Sequence, residues 1–134
     1  VGTAGLGLAR KCIDLAASYG AQRKVGNKPI FDNQGLTFPL ADILVKIHGA
    51  ELMLRNAACL SDADRPFRTE TSMAKLFATE LAGEAADIAL QVHGGYGIFE
   101  DYEVSGLLGE AKVLQIVEGT SEVQRLIIAR ELCT

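Results

Sequence analysis

The sequence contains no tryptophan, only three prolines, and no apolar run long enough to cross a membrane as a helix. It also lacks a surplus of basic residues, because its 13 lysines and arginines are scattered and are outnumbered by 17 aspartates and glutamates, which gives a net charge of −4. Proteins that bind nucleic acids or membrane surfaces usually concentrate positive charge. These absences argue against both roles, and we do not expect the ligand to be a polyanion.

Cysteine is scarce, and its spacing is unlike that of a disulfide framework or a zinc site. Cys12, Cys59 and Cys133 are far apart, form no Cys-x-x-Cys pair, and lie in or beside apolar helical stretches. We interpret them as reduced packing residues of an intracellular protein. His48 and His93 each lack a glutamate three residues earlier, so the Glu-x-x-His pattern of di-iron bundles is absent and no metal is expected.

Of the 134 residues, 49% are hydrophobic, which is enough for one compact domain with a sizeable core. These residues recur at every third or fourth position, the period of amphipathic helices. The first predicted helix buries Leu6, Ala9, Ile13, Ala16 and Gly20, and the long second helix buries Leu36, Leu40, Ile43, Ile47, Ala50, Leu54 and Ala58. A loop around Gly26 separates them, and Asp32 or Asn33 is the expected cap of the second helix.

Three further helices are predicted, and no alternating strand pattern is found. The third helix runs from about Thr69 to Val92, and its predicted core positions are Met73, Phe77, Leu81, Ala85 and Ile88. The fourth spans roughly Val104 to Val117, and the fifth begins after Thr120. The predicted fold class is therefore all-α: an up-and-down helical bundle of four main helices plus a short C-terminal helix.

The most informative stretch runs from Ile116 to Arg125, where one predicted helix ends and another begins. Glu118 follows an apolar run, Gly119 permits a sharp turn, and Thr120 is a good N-cap for the last helix. A carboxylate at such a hinge can project into a cleft, where burial would raise its pKa and suit it to proton abstraction. The alternative, a solvated glutamate near a helix end, is the commoner case.

Three motifs resemble the C-terminal helical domain of the acyl-CoA dehydrogenases: Tyr19-Gly-Ala-Gln-Arg23, Gln91-Val-His-Gly-Gly-Tyr-Gly97, and the Glu-Gly-Thr-Ser-Glu that begins at Glu118. The resemblance extends from about residue 1 to residue 130 and implies the helical bundle of that domain. It also implies α,β-dehydrogenation of an acyl-CoA thioester, FAD as the cofactor and an electron-transfer flavoprotein as the electron acceptor. Family members are dimers or tetramers, so a homo-oligomer is expected, in a bacterial cytoplasm or a mitochondrial matrix.

By this resemblance, Glu118 matches the family's catalytic base, and Gly119 matches the position whose backbone lies beside the substrate. Thr120, Ser121 and Glu122 match the segment that contacts the phosphate and adenosine parts of the cofactor. A helix start also suits an anion on physical grounds, because its free N–H groups and positive dipole end point outward. Many helices begin in this way without a ligand, so a plain helix cap is the alternative.

A second group matches residues that reach the cofactor held by a neighbouring subunit. Gln91, Gly94 and Gly95 match the family's Gln-x-x-Gly-Gly block. Arg23 matches an arginine that pairs with the flavin pyrophosphate, and Gln34 matches a glutamine near the flavin. Glycines let a backbone approach a pyrophosphate closely, and arginine offers it two parallel donors. Taken alone, the glycines fit a helix cap and Arg23 fits a solvated residue near a helix end.

The sequence also departs from the family pattern. Gly26-Asn27 stands where the family usually has Phe-Gly, which removes an aromatic ring expected near the cofactor. Gly109-Glu110 replaces the usual Arg-Asp, which removes an ion pair expected to brace the helix before Glu118. Two alternatives therefore stay open: an acyl-CoA oxidase that uses the same base, and a helical module that serves oligomerisation without catalysis.

In the family, the flavin lies between this helical domain and an N-terminal portion that has no counterpart in the sequence. The chain also begins without methionine, inside a predicted helix. We therefore expect a single bundle domain, residues 1–134, that forms the C-terminal part of a longer flavoenzyme. By itself it is expected neither to hold the flavin tightly nor to turn over substrate.

Overall fold

A computed structural model describes residues 1–133, with the backbone alone at Cys133. These residues form five α-helices: α1 (Gly2–Gln22), α2 (Gln34–Asp62), α3 (Arg68–His93), α4 (Val104–Ile116) and α5 (Ser121–Arg130). Short 3₁₀ turns lie at Ile30–Asp32, Gly94–Ile98 and Glu131–Cys133. The predicted all-α bundle is confirmed, and each predicted end of α3 and α4 lies at or next to the observed one.

Helix α3 is the centre of the bundle, because it contacts each of the other four helices. Its buried face is dominated by small residues: Ala74, Ala78, Ala82, Ala85, Ala86 and Ala89. Small side chains allow two helix axes to come close together. At the closest point, a Cβ added to Gly5 of α1 would lie 2.8 Å from the carbonyl oxygen of Ala78. The backbones of α1 and α3 are therefore in direct contact.

One predicted core position of α3 is wrong. Met73 is 41% exposed. Leu81 and Ala85 are buried as predicted, and Phe77 and Ile88 are half-buried. The reason is that the alanine face, and not the row of larger side chains, points at α1, so Met73 is turned toward solvent.

Helix α2 follows its predicted seam for most of its length. Leu40, Ile43, Ile47 and Ala50 are buried, and Leu36 and Leu54 are half-buried. In the last turns Ala57 is buried and Ala58 is exposed, so the predicted core position Ala58 is wrong. The reason is that a regular seam drifts around a helix of 29 residues. Asn33 is the N-cap, and its Oδ1 accepts a hydrogen bond of 2.9 Å from the N–H of Gly35.

The predicted loop after α1 contains two short strands, β1 (Lys24–Val25) and β2 (Lys28–Pro29), which pair antiparallel. These strands were not predicted, because two residues are too few for an alternating pattern. Gly26, in the turn between them, has a φ of 63°, which favours glycine. The ring of Phe31 packs so tightly on α1 that a Cβ at Gly20 would lie 2.0 Å from it. The loop is therefore fixed against α1.

The cysteines have different environments. Cys12 is buried in α1, as expected of a packing residue, and burial raises the pKa of its thiol to about 11. Cys59 is exposed on α2, so its interpretation as a packing residue is wrong. The buried seam of α2 passes through Ala57 instead. The interpretation of Cys133 concerns a side chain outside the described residues.

The structure also bears on metals and membranes. His48 is exposed on α2, and His93 is buried at the end of α3. Among residues 1–133, no three His, Cys, Asp or Glu side chains are grouped so that they could hold a metal ion. Within the same residues, no helix combines the length and the hydropathy that a membrane crossing requires.

Candidate active site

The turn between α4 and α5, residues 117–120, has an unusual backbone. The N–H of Val117 donates to the carbonyl oxygen of Val113 at 3.0 Å, which ends α4. Glu118 and Gly119 then both take positive φ angles, 55° and 93°. Glycine adopts this left-handed conformation freely, whereas for glutamate it costs on the order of 1 kcal/mol. Other contacts must therefore hold Glu118 in place.

Glu118 lies at the edge of a groove of about 610 Å³, which we call the hinge groove. Its walls come from the first residues of α1, the last turns of α2, the start of α3, and α5: Val1, Gly2, Thr3, Leu54, Ala57, Thr71, Ala74, Lys75 and Gln124. The predicted position of Glu118 at a cleft is thus observed. Its predicted burial is not, because the groove is open and Glu118 is exposed.

Two buried side chains hold the hinge backbone. Lys75 Nζ donates to the carbonyl oxygens of Gln115 at 3.3 Å and Gly119 at 2.8 Å. Gln124 Nε2 donates to the same Gly119 oxygen at 3.0 Å. Burial lowers the pKa of Lys75, and the negative charge of Glu122 opposes that shift. Sequence reasoning missed both residues; the available signal was a lysine, Lys75, on the alanine-rich face of α3.

The start of α5 brings together the three residues that were predicted to contact a cofactor. Thr120 caps the helix, and its Oγ1 accepts a 3.4 Å hydrogen bond from the N–H of Val123. Ser121 is buried, and its hydroxyl has no hydrogen-bond partner among the described residues. Glu122 is exposed, and a hydrogen bond with the Thr120 side chain lowers its pKa, with help from its own backbone N–H. The site thus contains a buried hydroxyl without a partner among the described residues and an exposed negative charge.

Three of the five residues of the second predicted group lie at the opposite end of the bundle, around a pocket of about 680 Å³ that we call the glycine corner. Arg23, Gly94 and Gly95 all line it. The guanidinium carbon of Arg23 lies 5.2 Å from the ring centre of Tyr96, a cation–π distance. Gln91 and Gln34 are exposed, and neither lines this pocket.

A buried histidine supports the glycine corner. His93 stacks on Tyr19 with ring centres 4.3 Å apart. Its Nδ1 lies 2.8 Å from the carbonyl oxygen of Ala89. Because a carbonyl can only accept, Nδ1 carries the hydrogen of this bond. The histidine therefore fixes the end of α3 just before Gly94, whose φ is 58°.

One chain does not bring the two groups together. Gly2 lines the hinge groove and Tyr19 lines the glycine corner, and both belong to α1. At about 1.5 Å per residue, the helix separates them by roughly 25 Å. In one chain the two groups are therefore separate sites on the bundle.

Comparison with known proteins identifies the family of the chain. The family model for the acyl-CoA dehydrogenase C-terminal domain matches residues 1–133. The chain is 44% identical over 127 residues to the probable acyl-CoA dehydrogenase YngJ of Bacillus subtilis, and this match covers 95% of this chain and 33% of that protein. It is 41% identical over 132 residues to the acryloyl-CoA reductase (NADH) of Anaerotignum propionicum, which covers 98% and 34% respectively.

A solved structure is similar in shape as well. Butyryl-CoA dehydrogenase from Megasphaera elsdenii matches with a TM-score of 0.94 at 35% identity, over 97% of this chain and 34% of that one. The chain thus spans about a third of the length of these relatives. Since the family model covers nearly every residue, the chain belongs to the acyl-CoA dehydrogenase family and corresponds to its C-terminal domain.

Proposed function

We propose that this chain is the catalytic C-terminal domain of a longer FAD-dependent acyl-CoA dehydrogenase, in which Glu118 removes the α-proton of an acyl-CoA thioester. One observation carries the proposal: Glu118 is held at the edge of the hinge groove, on a backbone fixed by two buried donors. The names of the relatives support it, because they describe dehydrogenases and a reductase of CoA thioesters.

The reaction needs a base and a hydride acceptor. Oxidation of the α,β bond removes a proton from the α-carbon and a hydride from the β-carbon and leaves a double bond. Bound FAD would supply the acceptor for the hydride. The Glu118 carboxylate takes the proton, and the backbone of Gly119 borders the substrate. Leu54 and Ala57 give the groove an apolar wall that suits an acyl chain.

The base also needs a drier environment than this chain provides alone. A carboxylate abstracts a weakly acidic proton best when burial raises its pKa toward the working pH. Glu118 is exposed here, so we propose that the rest of the longer protein and the bound substrate cover the hinge groove. We also propose that the separate chain neither turns over substrate nor holds the flavin tightly.

The start of α5 fits the anionic part of FAD. The buried Ser121 hydroxyl lacks a partner within the described residues, and the first N–H groups of a helix form a natural anion site. We propose that Thr120 and Ser121 bind phosphate oxygens. The negative Glu122 suits a hydroxyl donor of the adenosine part better than a phosphate. All three residues would serve the flavin of their own subunit.

The glycine corner fits the flavin of a neighbouring subunit. Arg23 is exposed and free of any ion pair among residues 1–133, so it can bind a pyrophosphate. Added Cβ atoms at Gly94 and Gly95 would meet nothing within 4 Å, so this backbone is open to a ligand. We also assign Gln34 and Gln91 to this flavin. A homo-oligomer, a dimer or a tetramer, is then required.

The test is the substitution Glu118→Gln in the full-length flavoprotein. Acyl-CoA-dependent bleaching of the flavin should slow by several orders of magnitude, because the amide cannot accept the α-proton. Glu84→Gln is the control, since it removes an exposed ion pair with Lys46 far along α3. Bleaching at the normal rate in Glu118→Gln would refute the assignment of Glu118 as the base, whereas a full-length protein that shows no bleaching even when unsubstituted would favour a helical module without catalysis.

The direction of the reaction and the electron acceptor are part of the proposal. One relative at 41% identity is named a reductase, so reduction of an acryloyl-type thioester is the second candidate, with protonated Glu118 delivering the α-proton. An electron-transfer flavoprotein is the proposed partner, in an intracellular compartment. Three rates measured with the full-length protein distinguish these activities. Reduction of the electron-transfer flavoprotein indicates a dehydrogenase, formation of peroxide indicates an oxidase, and NADH-driven reduction of an enoyl-CoA indicates a reductase.

A further inference from the structure

Lys75 is the one charged side chain in the buried set of the described residues. It is only 7% exposed, and it forms none of the ion pairs found in residues 1–133. A buried ammonium without a carboxylate is unfavourable unless other groups compensate. Lys75 therefore needs an explanation beyond packing.

The compensation comes from the backbone around Glu118. The carbonyl oxygen of Gln115 lies in the last turn of α4, where helix carbonyls lack intrahelical partners and the helix dipole is negative. The carbonyl oxygen of Gly119 lies just beyond Glu118 and accepts from both Lys75 and Gln124. Lys75 thus binds the chain on both sides of Glu118.

The rest of Lys75 is itself held in place. The Thr79 hydroxyl, which is buried, donates to the carbonyl oxygen of Lys75 at 2.9 Å. The side chain of Gln115 reaches back to the carbonyl oxygen of Thr79 at 3.4 Å. The first bond lies within α3 and the second joins α3 to α4, so the helix that carries Lys75 is held against the helix that ends at the hinge.

We propose that Lys75 is a positioning residue for Glu118. By donating to carbonyl oxygens on both sides, it holds Glu118 in the left-handed conformation and keeps the carboxylate at the edge of the hinge groove. This inference rests on the proposed function of Glu118 as the base. Without the two bonds, Glu118 returns to a negative φ, which non-glycine residues prefer, and the carboxylate moves away from the groove.

The test uses the full-length flavoprotein with Lys75→Met, which keeps most of the apolar stem and removes the donors. With butyryl-CoA as the probe, we expect bleaching at saturating substrate to slow about 10- to 100-fold, the effect of a small displacement of a reacting group. The KM for butyryl-CoA is not diagnostic, because Lys75 also lines the hinge groove, so the rate at saturating substrate carries the test. Lys46→Met is the matched control, an exposed helical lysine that pairs with Glu84.

A double-mutant cycle separates positioning from a general structural role. If Lys75 acts through Glu118, Lys75→Met should not slow the residual bleaching of Glu118→Gln any further. If Lys75→Met slowed bleaching equally in the wild-type and the Glu118→Gln backgrounds, the inference would be overturned. It would also be overturned if Glu118→Gln slowed bleaching and Lys75→Met alone did not. Normal bleaching by Glu118→Gln alone would instead refute the proposed function.

A second measurement does not depend on activity. Amide hydrogen exchange across residues 116–121 should be faster in Lys75→Met than in Lys46→Met, because the hinge loses its donors. Equal exchange would contradict the inference. If Lys75→Met does not fold, Gln124→Met removes the other donor to the Gly119 oxygen. It should slow bleaching in the same way, and a normal rate there would count against the hinge mechanism.

Discussion

At the scale of single residues, the hinge shows how a functional position can require an unfavourable backbone. Glu118 has a φ of 55°, a value that few glutamates adopt. Sequence reasoning could identify Glu118 and Gly119 as a hinge, because an acidic residue and a glycine follow an apolar helical run. Lys75 and Gln124 were missed: the lysine on the alanine-rich face of α3 marks an unusual position, but the partners of both side chains are backbone carbonyls, which no side-chain pattern encodes.

Gly119→Ala tests this backbone requirement. Gly119 has a φ of 93°, and an added Cβ would lie 2.8 Å from Gln124 Nε2. We expect the free energy of unfolding to fall by about 1–3 kcal/mol and bleaching of the full-length protein to slow. Gly106→Ala on α4 is the control, because its Cβ meets nothing within 4 Å. Urea denaturation measures both variants, and equal stability would contradict the strain argument.

The two described thiols should differ sharply in reactivity. Burial raises the pKa of Cys12 to about 11, whereas Cys59 is exposed. The thiolate is the reactive form, and at pH 8 a thiol with that pKa is almost entirely protonated. In a Cys133→Ser background, iodoacetamide at pH 8 should label Cys59 quickly and Cys12 only after unfolding. Mass spectrometry of the native protein measures both, and fast labelling of Cys12 would show that its site opens.

At the scale of helices, periodicity predicted the positions of the helices along the chain more accurately than the faces that they bury. Their ends depend on local signals such as the Asn33 and Thr120 caps, which are readable in the sequence. Their buried faces depend on the neighbouring helix. Met73 was mispredicted because α3 presents alanines to α1, and a close helix contact selects small residues over large ones.

Two glycines on α1 allow a matched test of that close contact. In Gly5→Ala the new Cβ would lie 2.8 Å from the backbone oxygen of Ala78, so α1 and α3 must separate. We expect a loss of about 1–3 kcal/mol of stability. In Gly7→Ala the Cβ meets nothing within 4 Å, and the better helix propensity of alanine should add about 0.5–1 kcal/mol. Denaturant melts of the two variants should therefore shift in opposite directions.

At the scale of the whole molecule, the predicted site residues separate into two groups at opposite ends of the bundle. The hinge groove contains Glu118, and the glycine corner contains Arg23, Gly94 and Gly95. The sequence resemblance predicted that the second group serves a neighbouring subunit. Periodicity alone could not have done so, because the distance between the groups depends on how α1 and α3 run through the bundle.

Mixed oligomers of the full-length protein test whether a site is shared between subunits. Glu118→Gln and Arg23→Ala should each impair their own homo-oligomer. If Glu118 of one subunit works with Arg23 of the next, a mixed dimer contains one site with both defects and one site with neither. Random assembly of coexpressed variants should then restore roughly a quarter of the wild-type bleaching. If both residues served the same subunit, every site would carry a defect and coexpression would restore nothing. The control is a mixture of the two separately purified homo-oligomers, which do not exchange subunits. A coexpressed sample that is no more active than this mixture would refute the shared site.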